Sequence, residues 1–443
     1  MVKIEICSVA GYSEIGRNMT AVKIDDEVII MDMGLHLDNY IQAVGEDEPA
    51  KYSREQLISE KAIPDDSTIK DWKGKVKAIV VTHAHLDHVG AVPYLANHYN
   101  CPVIGTPYTM EILKAIVKDN DFKFKNKIKT LSVNSKYNIS KNLAIELINV
   151  THSVPQSALI ALHTPNGKIL YANDFKFDMF PVLGKKTTPE MLSKLSPVLA
   201  LIVDSLYADQ AMKTPSESIA KAMLKDVLIG TNSDKRAIIV STFSSHIARL
   251  SSIVKYGKEL GRKIVFIGRS LARYTEAAER VNIVNFSKDV HIVKFKGHAR
   301  KLMKKIEKSR DKYLLVVTGH QGEPKAILPR IVAGDFDFNI HKEDHVIFSC
   351  KIIPSPINVV NREHLEGALT AKGARIFKDI HVSGHGAKED LRDLIDAVKP
   401  KHIIPTHGDT KKKGALADLA VEMGYELEKN VHLMTDGQRK ILE

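Results

Sequence analysis

Short apolar runs punctuate the first half of the chain, and they stop on glycine, histidine or aspartate. "EVIIMDMG" (27–34) ends at Gly34, "KVKAIVVTHAH" (75–85) runs into histidines, and "AIELINVTHSV" (144–154) carries His152. Runs this short and this apolar predict strands. "LIALHTPNGKILYANDF" (159–175) predicts a hairpin, with Pro-Asn-Gly at 165–167 supplying the turn. Between the strands, "PYTMEILKAIVKDN" (107–120) has helical spacing. Apolar strands thus repeatedly deliver a His or Asp to a loop, where a rigid sheet can bring chemistry together.

The texture changes after "LIVDSLYADQ" (201–210). "TPSESIAKAMLKDVLIG" (214–230) predicts a helix with Thr214 as N-cap, Pro215 at N1 and Glu217 at N3. "RAIIVSTF", a helix through "HIARLSSIVKYGKELG" stopped by Gly261, and "RKIVFIG" form a strand–helix–strand unit. "KYLLVVTGHQGEP" and "DHVIFSCKIIPSP" predict two more strands, so residues 208–360 are expected to be an α/β domain with a parallel sheet. From residue 361 the chain returns to strands ending in histidine, "DIHVSGHG" (379–386) and "KHIIPTHGD" (401–409). The simplest arrangement is an insertion, with 1–207 and 361–443 building one domain around 208–360.

The densest chemistry is His83-Ala-His85-Leu-Asp87-His88. Alternate residues at a strand end point the same way, so His83 and His85 can bind one cation. The turn that follows swings Asp87 and His88 toward a second. Two metals would offset the cost of crowding four polar groups, and without cysteine nearby a His/Asp donor set suits zinc. The three cysteines, Cys7, Cys101 and Cys350, form no C-x-x-C pair and imply neither a disulfide framework nor a thiolate site.

A net charge of +11 and a pI near 9.2 favour a polyanionic partner. The basic runs "KFKNKIK" (123–129), "KFKGHARKLMKK" (294–305) and "KKK" (411–413) are separate, which spreads the field over the surface. No signal peptide and no membrane-length apolar run is present, so a cytoplasmic protein is expected.

H-x-H-x-D-H after a strand resembles the metallo-β-lactamase superfamily, and the remaining motifs of that family occur in order. By that resemblance Asp32 in "VIIMD" braces the metal loop without binding metal. His83, His85, His152 and Asp174 would hold one zinc, and Asp87, His88 and Asp174 the other. The inserted α/β segment is similar to that of the β-CASP nucleases. That likeness makes Asp204 in "LIVDSLY" a buttress for a ligand histidine, places His385 in "VSGHG" on the scissile phosphate or leaving oxygen, and gives the second zinc His407 in "PTHGD" as its last ligand.

Among β-CASP proteins the chain resembles the ribonuclease J family through "SEIGRNM", "STFSSHIARL", "IGRSL", "TGHQGEP", "HVSGHG" and "PTHGD". It is most similar to the shorter archaeal form, and departs from the common "TGSQGEP" at His320. The resemblance implies an α/β fold: a metallo-β-lactamase αββα sandwich with an inserted β-CASP domain. It implies two Zn2+ per chain, with Mn2+ or Mg2+ as substitutes, and single-stranded RNA as substrate. It allows a homodimer and no membrane association. The expected activity is hydrolysis from the 5′ end, with preference for a 5′-monophosphate. Asp87 and His385 would act in proton transfer, aided by Asp204. Substrate phosphate is expected on His381, Val382, Ser383, Gly384 and His385, where small residues leave backbone N–H groups free, with Ser244 and Arg269 as a terminal-phosphate pocket. The competing readings are a cleavage-and-polyadenylation-type endonuclease, a small-molecule metallo-hydrolase and a non-catalytic RNA-binding scaffold.

Overall fold

The computed structural model describes residues 2–44, 51–353 and 355–442. The chain forms two compact units: residues 1–179, 184–214 and 384–443 in the first, 180–183 and 215–383 in the second. None of the described helices is long and apolar enough to cross a membrane.

The first unit contains two sheets. One has seven strands in the order Arg439–Leu442, Ile4–Ala10, Met19–Ile24, Glu27–Met31, Val76–Val81, Val103–Gly105 and Ile128–Thr130. The other has six, in the order His402–Thr406, Ala200–Asp204, Gly167–Ala172, Ala158–Thr164, Ala144–Asn149 and Ser135–Asn138. Alternate residues of both sheets, among them Ile6, Val22, Met31 and Val80 from one and Leu147, Ile160, Tyr171 and Ile404 from the other, meet in a shared core. The opposite face of the second sheet packs through Leu201, Val203 and Ile403 on Leu391 and Leu394 of the helix Lys388–Val398 and Leu416 of the helix Thr410–Glu422. Strands buried on both faces read as continuous apolar runs, which is why these segments were visible in the sequence.

The second unit is built on six parallel strands, ordered Val290–Val293, Lys263–Ile267, Tyr313–Val317, Ile238–Ser241, His345–Phe348 and Arg375–Phe377. This unit extends past residue 360. The helix Pro356–Ala371 leads into Arg375–Phe377, which pairs with His345–Phe348 and keeps that stretch with the parallel sheet. Consequently "DIHVSGHG" is not a strand: Arg375–Phe377 takes the pairing, and residues 379–386 run as loop.

A second difference concerns the helix Glu217–Leu228. Its N-cap is Ser216, which accepts from Ser218 N, and not Thr214. Thr214 instead donates its hydroxyl to His385 O and its N–H to Asp390 Oδ2, at 2.8 Å each. With a serine two residues on, the cap falls where the backbone turns, and Thr214 is used to tie the loop before the helix Lys388–Val398.

The second unit also buries one arginine completely. Arg249 donates through Nε and Nη2 to the two oxygens of Glu217, at 2.6 and 2.8 Å. Its Nη1 donates to Ser349 O, Ser349 Oγ and Ile380 O, at 2.9, 2.9 and 3.0 Å. Removing one partner of a buried pair leaves the other charge uncompensated, which costs far more than the pair itself contributes. Arg249→Met is therefore expected to destabilise this unit by about 3–5 kcal/mol in denaturant unfolding. Adding Glu217→Leu should recover most of that loss; a double variant no better than the single one would refute the pairing argument.

Candidate metal centre

The strand Val76–Val81 is buried from Ala78 onward, and Thr82 and His83 continue it without a break. His85 then caps a single helical turn, Leu86–Val89, on which Asp87 and His88 ride. This turn seats against Gly34, where an added Cβ would lie 1.6 Å from Asp87 O. Only glycine allows that approach. The other ligand candidates of this unit also follow strand ends: His152 after Ala144–Asn149, Asp174 after Gly167–Ala172 and His407 after His402–Thr406. Asp174 and His407 adopt positive φ (37° and 55°), so the chain turns sharply and aims each side chain back over the sheet edge.

Two groups of four donors result, His83–His85–His152–Asp174 and Asp87–His88–Asp174–His407, and a group of three, Asp204–His385–His407, adjoins them through His407; the atoms of each lie within 4.8 Å of one another. In the first, His83 Nε2 stands 3.2 Å from His85 Nδ1 and 3.3 Å from Asp174 Oδ2. His152 Nε2 is 3.1 Å from His85 Nδ1 and 3.5 Å from Asp174 Oδ2. In the second, His88 Nε2 lies 3.5 Å from Asp87 Oδ2 and 3.3 Å from Asp174 Oδ2. His407 Nε2 is wider, 3.9 Å from Asp87 Oδ2 and 3.8 Å from Asp174 Oδ1.

Do these residues fit a metal? Nitrogen donors placed tetrahedrally about zinc at about 2.0–2.1 Å stand about 3.3 Å apart. The separations of 3.1–3.5 Å match the edges of such a polyhedron, while those of His407, at 3.8 and 3.9 Å, are wider. Moreover Asp174 Oδ1 is buried and has no hydrogen-bond partner, a cost that a cation removes. The outward nitrogens are engaged: His88 Nδ1 by Asp32 Oδ2 (2.8 Å), His152 Nδ1 by Gly384 O (2.7 Å) and His407 Nδ1 by Asn18 Oδ1 (2.9 Å). A proton held on the outward nitrogen leaves the inward lone pair for a cation. The donor set fits two cations.

The electrostatics agree. Burial first, then the neighbouring imidazoles, hold His83 and His85 down at about 3, so both are neutral, as metal ligation requires. His88 behaves oppositely: burial disfavours its charge, but Asp174, Asp87 and Asp32 outweigh it and raise its pKa. Burial opposes ionisation of Asp174 as well, yet the surrounding imidazoles keep its carboxylate well below the usual range.

Asp32, at φ 61°, accepts from Thr82 N (2.8 Å) and the Thr82 hydroxyl in addition to His88. It ties the metal loop to the preceding strand and itself belongs to neither four-donor group. Asp204 accepts from Leu206 N and holds His385 Nδ1, both at 2.7 Å. Its partner is therefore His385 and not one of the histidines expected on zinc; the strand Ala200–Asp204, paired with His402–Thr406, ends below the loop that carries His385. Burial works against the charge of His385, but Asp174 and Asp204 overcome it and lift the imidazole to about 9. Its ring stacks on His407, centroids 5.7 Å apart and 8° from parallel, and Gly384 beside it packs so closely on His152 that a Cβ would fall 2.9 Å from the imidazole.

The remaining candidates belong to the second unit. Ser244 Oγ meets Ser270 Oγ at 2.9 Å, joining the loop after Ile238–Ser241 to the start of the helix Arg269–Arg280, where Arg269 is exposed. His381 has a buried Nδ1 without a partner, its centroid 6.5 Å from Phe243, which in turn lies 4.3 Å from His320. The backbone N–H of His381 is not free, since it donates to Asp379 O at 2.8 Å; the tight turn at Asp379, φ 60°, claims it. Val382 is buried and Ser383 half-buried.

Sequence reasoning passed over Asn18. Its amide donates to Asp87 O (3.1 Å) and contacts His88 Nε2 (3.2 Å), while its oxygen receives His407 Nδ1 and Asn173 Nδ2. It stands inside "SEIGRNM", a stretch whose resemblance was visible but whose chemistry was not.

Comparison with known proteins covers nearly the whole chain. Residues 14–201 match the metallo-beta-lactamase superfamily, 235–364 the "Ribonuclease J, beta-CASP domain", and 373–434 the "Zn-dependent metallo-hydrolase RNA specificity domain". The chain is 44% identical to ribonuclease J of Methanocaldococcus jannaschii over 98% of both chains. It is 41% identical to ribonuclease J of Pyrococcus abyssi, covering 98% of this chain and 96% of that one. A solved structure of a protein of unknown function from Enterococcus faecalis V583 shares the fold with a TM-score of 0.68 at 17% identity, over 99% of this chain and 100% of the other. The chain belongs to the ribonuclease J family of metal-dependent ribonucleases.

Proposed function

We propose that this ribonuclease hydrolyses single-stranded RNA with two zinc ions per chain, proceeding from the 5′ end and preferring a 5′-monophosphate. The observation that carries the reading is the pair of four-residue donor groups sharing Asp174. His83, His85, His152 and Asp174 would hold one ion, and Asp87, His88, His407 and Asp174 the other. Two ions so placed supply Lewis-acid stabilisation of phosphoryl charge and a water acidic enough to ionise near neutral pH. Asp87, half-buried, accepts the proton of the attacking water. His385 carries a proton at neutral pH and stands over the same site, its Nε2 3.8 Å from Asp174 Oδ2, so it delivers that proton to the leaving 3′-oxygen. Asp204 fixes its tautomer. With cations in place Asp174 is largely neutralised, and Asp204 is the carboxylate that still favours the imidazolium of His385. In the second unit, Arg269 beside the Ser244 and Ser270 hydroxyls offers a cation and two donors suited to a terminal phosphate, and Phe243 with His381 offers a ring and an imidazole for the first nucleotide.

Four measurements test this. Asp174→Ala should lose both bound metal and cleavage, read by elemental analysis and RNA turnover; an active, metal-free variant would refute the ligand assignment. His385→Ala should keep its metal and fold yet lose about 10²–10⁴-fold in turnover. Asp204→Asn removes the partner that raises the pKa of His385. Since the protonated imidazole is the working form, the alkaline limb of its rate profile should move to lower pH. An unmoved limb would separate Asp204 from His385. Finally, RNA labelled at its 5′ end should release labelled mononucleotide at the earliest times, faster from monophosphate than from triphosphate ends. Early internal fragments would instead favour an endonuclease.

A further inference from the structure

One basic run has no role in the site described above. Residues 294–308, "KFKGHARKLMKKIEK", contain seven Lys/Arg and one Glu. They form the helix Lys296–Glu307 and its flanks in the second unit. The inner side of that helix is fixed by Ala299, Met303 and Ile306, which pack into the core of the unit. Arg300, Lys301, Lys304, Lys305 and Lys308 are all exposed, and among the described residues none of them has a carboxylate within ion-pair distance. The one acid of the helix is engaged elsewhere: Glu307 pairs with Arg310 at 3.3 Å and His341 at 3.1 Å.

Phe295, immediately before the helix, is 61% exposed. His298 meets it edge to face, centroids 6.3 Å apart at 83°. Between them Gly297 has no neighbour within 4 Å of where a Cβ would stand among the described residues outside its own chain neighbours. A lone exposed phenylalanine is unremarkable. Joined to a second ring and a row of uncompensated cations, it is the combination that holds single strands: charge along the backbone, rings against bases. Arg300, Lys304 and Lys308 recur every fourth residue, about 6 Å of helix rise apart, a step comparable to successive phosphates of an extended strand.

The other basic runs do not offer this. Lys412 is held by Asp209 at 2.8 and 2.9 Å, and Lys413 is buried, donating to Met434 O. In the 123–129 run Lys129 lies over the Tyr137 ring at 3.6 Å, and the run has no exposed aromatic.

We propose that the helix Lys296–Glu307, with Phe295 and His298 at its start, is a second binding surface for single-stranded RNA, built from residues of the second unit alone. The proposal rests on RNA being the substrate, and it adds phosphate and base contacts to those of the proposed reaction. Phosphates lie along Arg300, Lys304 and Lys308, with Lys301 and Lys305 alongside, and one base stacks on Phe295.

The test is the binding of a labelled, phosphorothioate-linked single-stranded 24-mer to the metal-loaded enzyme, measured by anisotropy over a salt series. The triple variant Arg300→Ala, Lys304→Ala, Lys308→Ala should lower the slope of log affinity against log salt by about 2, at about 0.7 per phosphate contact. Phe295→Ala should weaken binding about tenfold at unchanged slope. Thermal unfolding of both variants, which change only exposed positions, reports that the fold is kept. Wild-type affinity and slope in both variants would overturn the proposal. An equal loss of heparin binding with Phe295→Ala silent would overturn it too, in favour of a general polyanion or acidic-protein surface. Cleavage of ordinary RNA by the wild type, run in parallel, tests the proposed activity separately: inactive wild type with the binding losses intact would spare the surface and remove the proposed reaction.

Discussion

Around Asp174 the protein has assembled contacts that are unfavourable until something positive fills the gap. One carboxylate oxygen has imidazole nitrogens of His83, His88 and His152 within 3.5 Å, and its other oxygen is buried without a donor. Neutral imidazoles facing each other through lone pairs gain nothing from proximity. The surrounding structure is arranged around this constraint: Asp32, Asn18 and Gly384 each occupy an outward imidazole nitrogen and so prevent the rings from turning away. The donors are held by a rigid sandwich, and Asp32 and Asn18 are buried as deeply as His83 and His88.

How much of this could be read from the sequence follows from where each signal resides. His83, His85, Asp87 and His88 were legible because four donor types crowd one turn after an apolar strand. Their meeting with His152, Asp174 and His407 was not, since convergence over more than three hundred residues is a property of sheet order; it entered through family resemblance. Asn18 and Gly34 escaped for a related reason. An amide that bridges two histidines, or a glycine chosen for a neighbour's carbonyl, has no local pattern. Thr214 and Ser216 show the limit at short range: both satisfy a capping signature, and only the path of the loop toward Asp390 decides between them. The misread strand at 379–386 has the same origin, because apolar alternation does not say which segment captures the sheet edge.

The two units handle buried charge differently. In the second, Arg249 and Glu217 neutralise one another within the protein, and the pair fixes the approach of Ile380 and Ser349. In the first, charge is left unbalanced on purpose at one place, where it serves an exogenous cation. The same sequence therefore contains a closed ionic network that stabilises and an open one that recruits, distinguished by whether every carboxylate oxygen has a donor.

One feature of the first unit bears on synthesis. His407 is turned toward the centre by a bond from its backbone N–H to Gly11 O and by the side chain of Asn18, so a residue near one end of the chain is positioned by residues near the other. The strand Arg439–Leu442 then pairs with Ile4–Ala10 and closes the sheet. A ribosome adds residues from the amino end, so a nascent chain displays six of the seven donors long before the last one exists. During that interval the second donor group is open on one side and Asn18 has no imidazole to hold. In the two-cation centre proposed above, such a chain would lack one donor until the strand His402–Thr406 is in place and His407 meets Gly11 and Asn18.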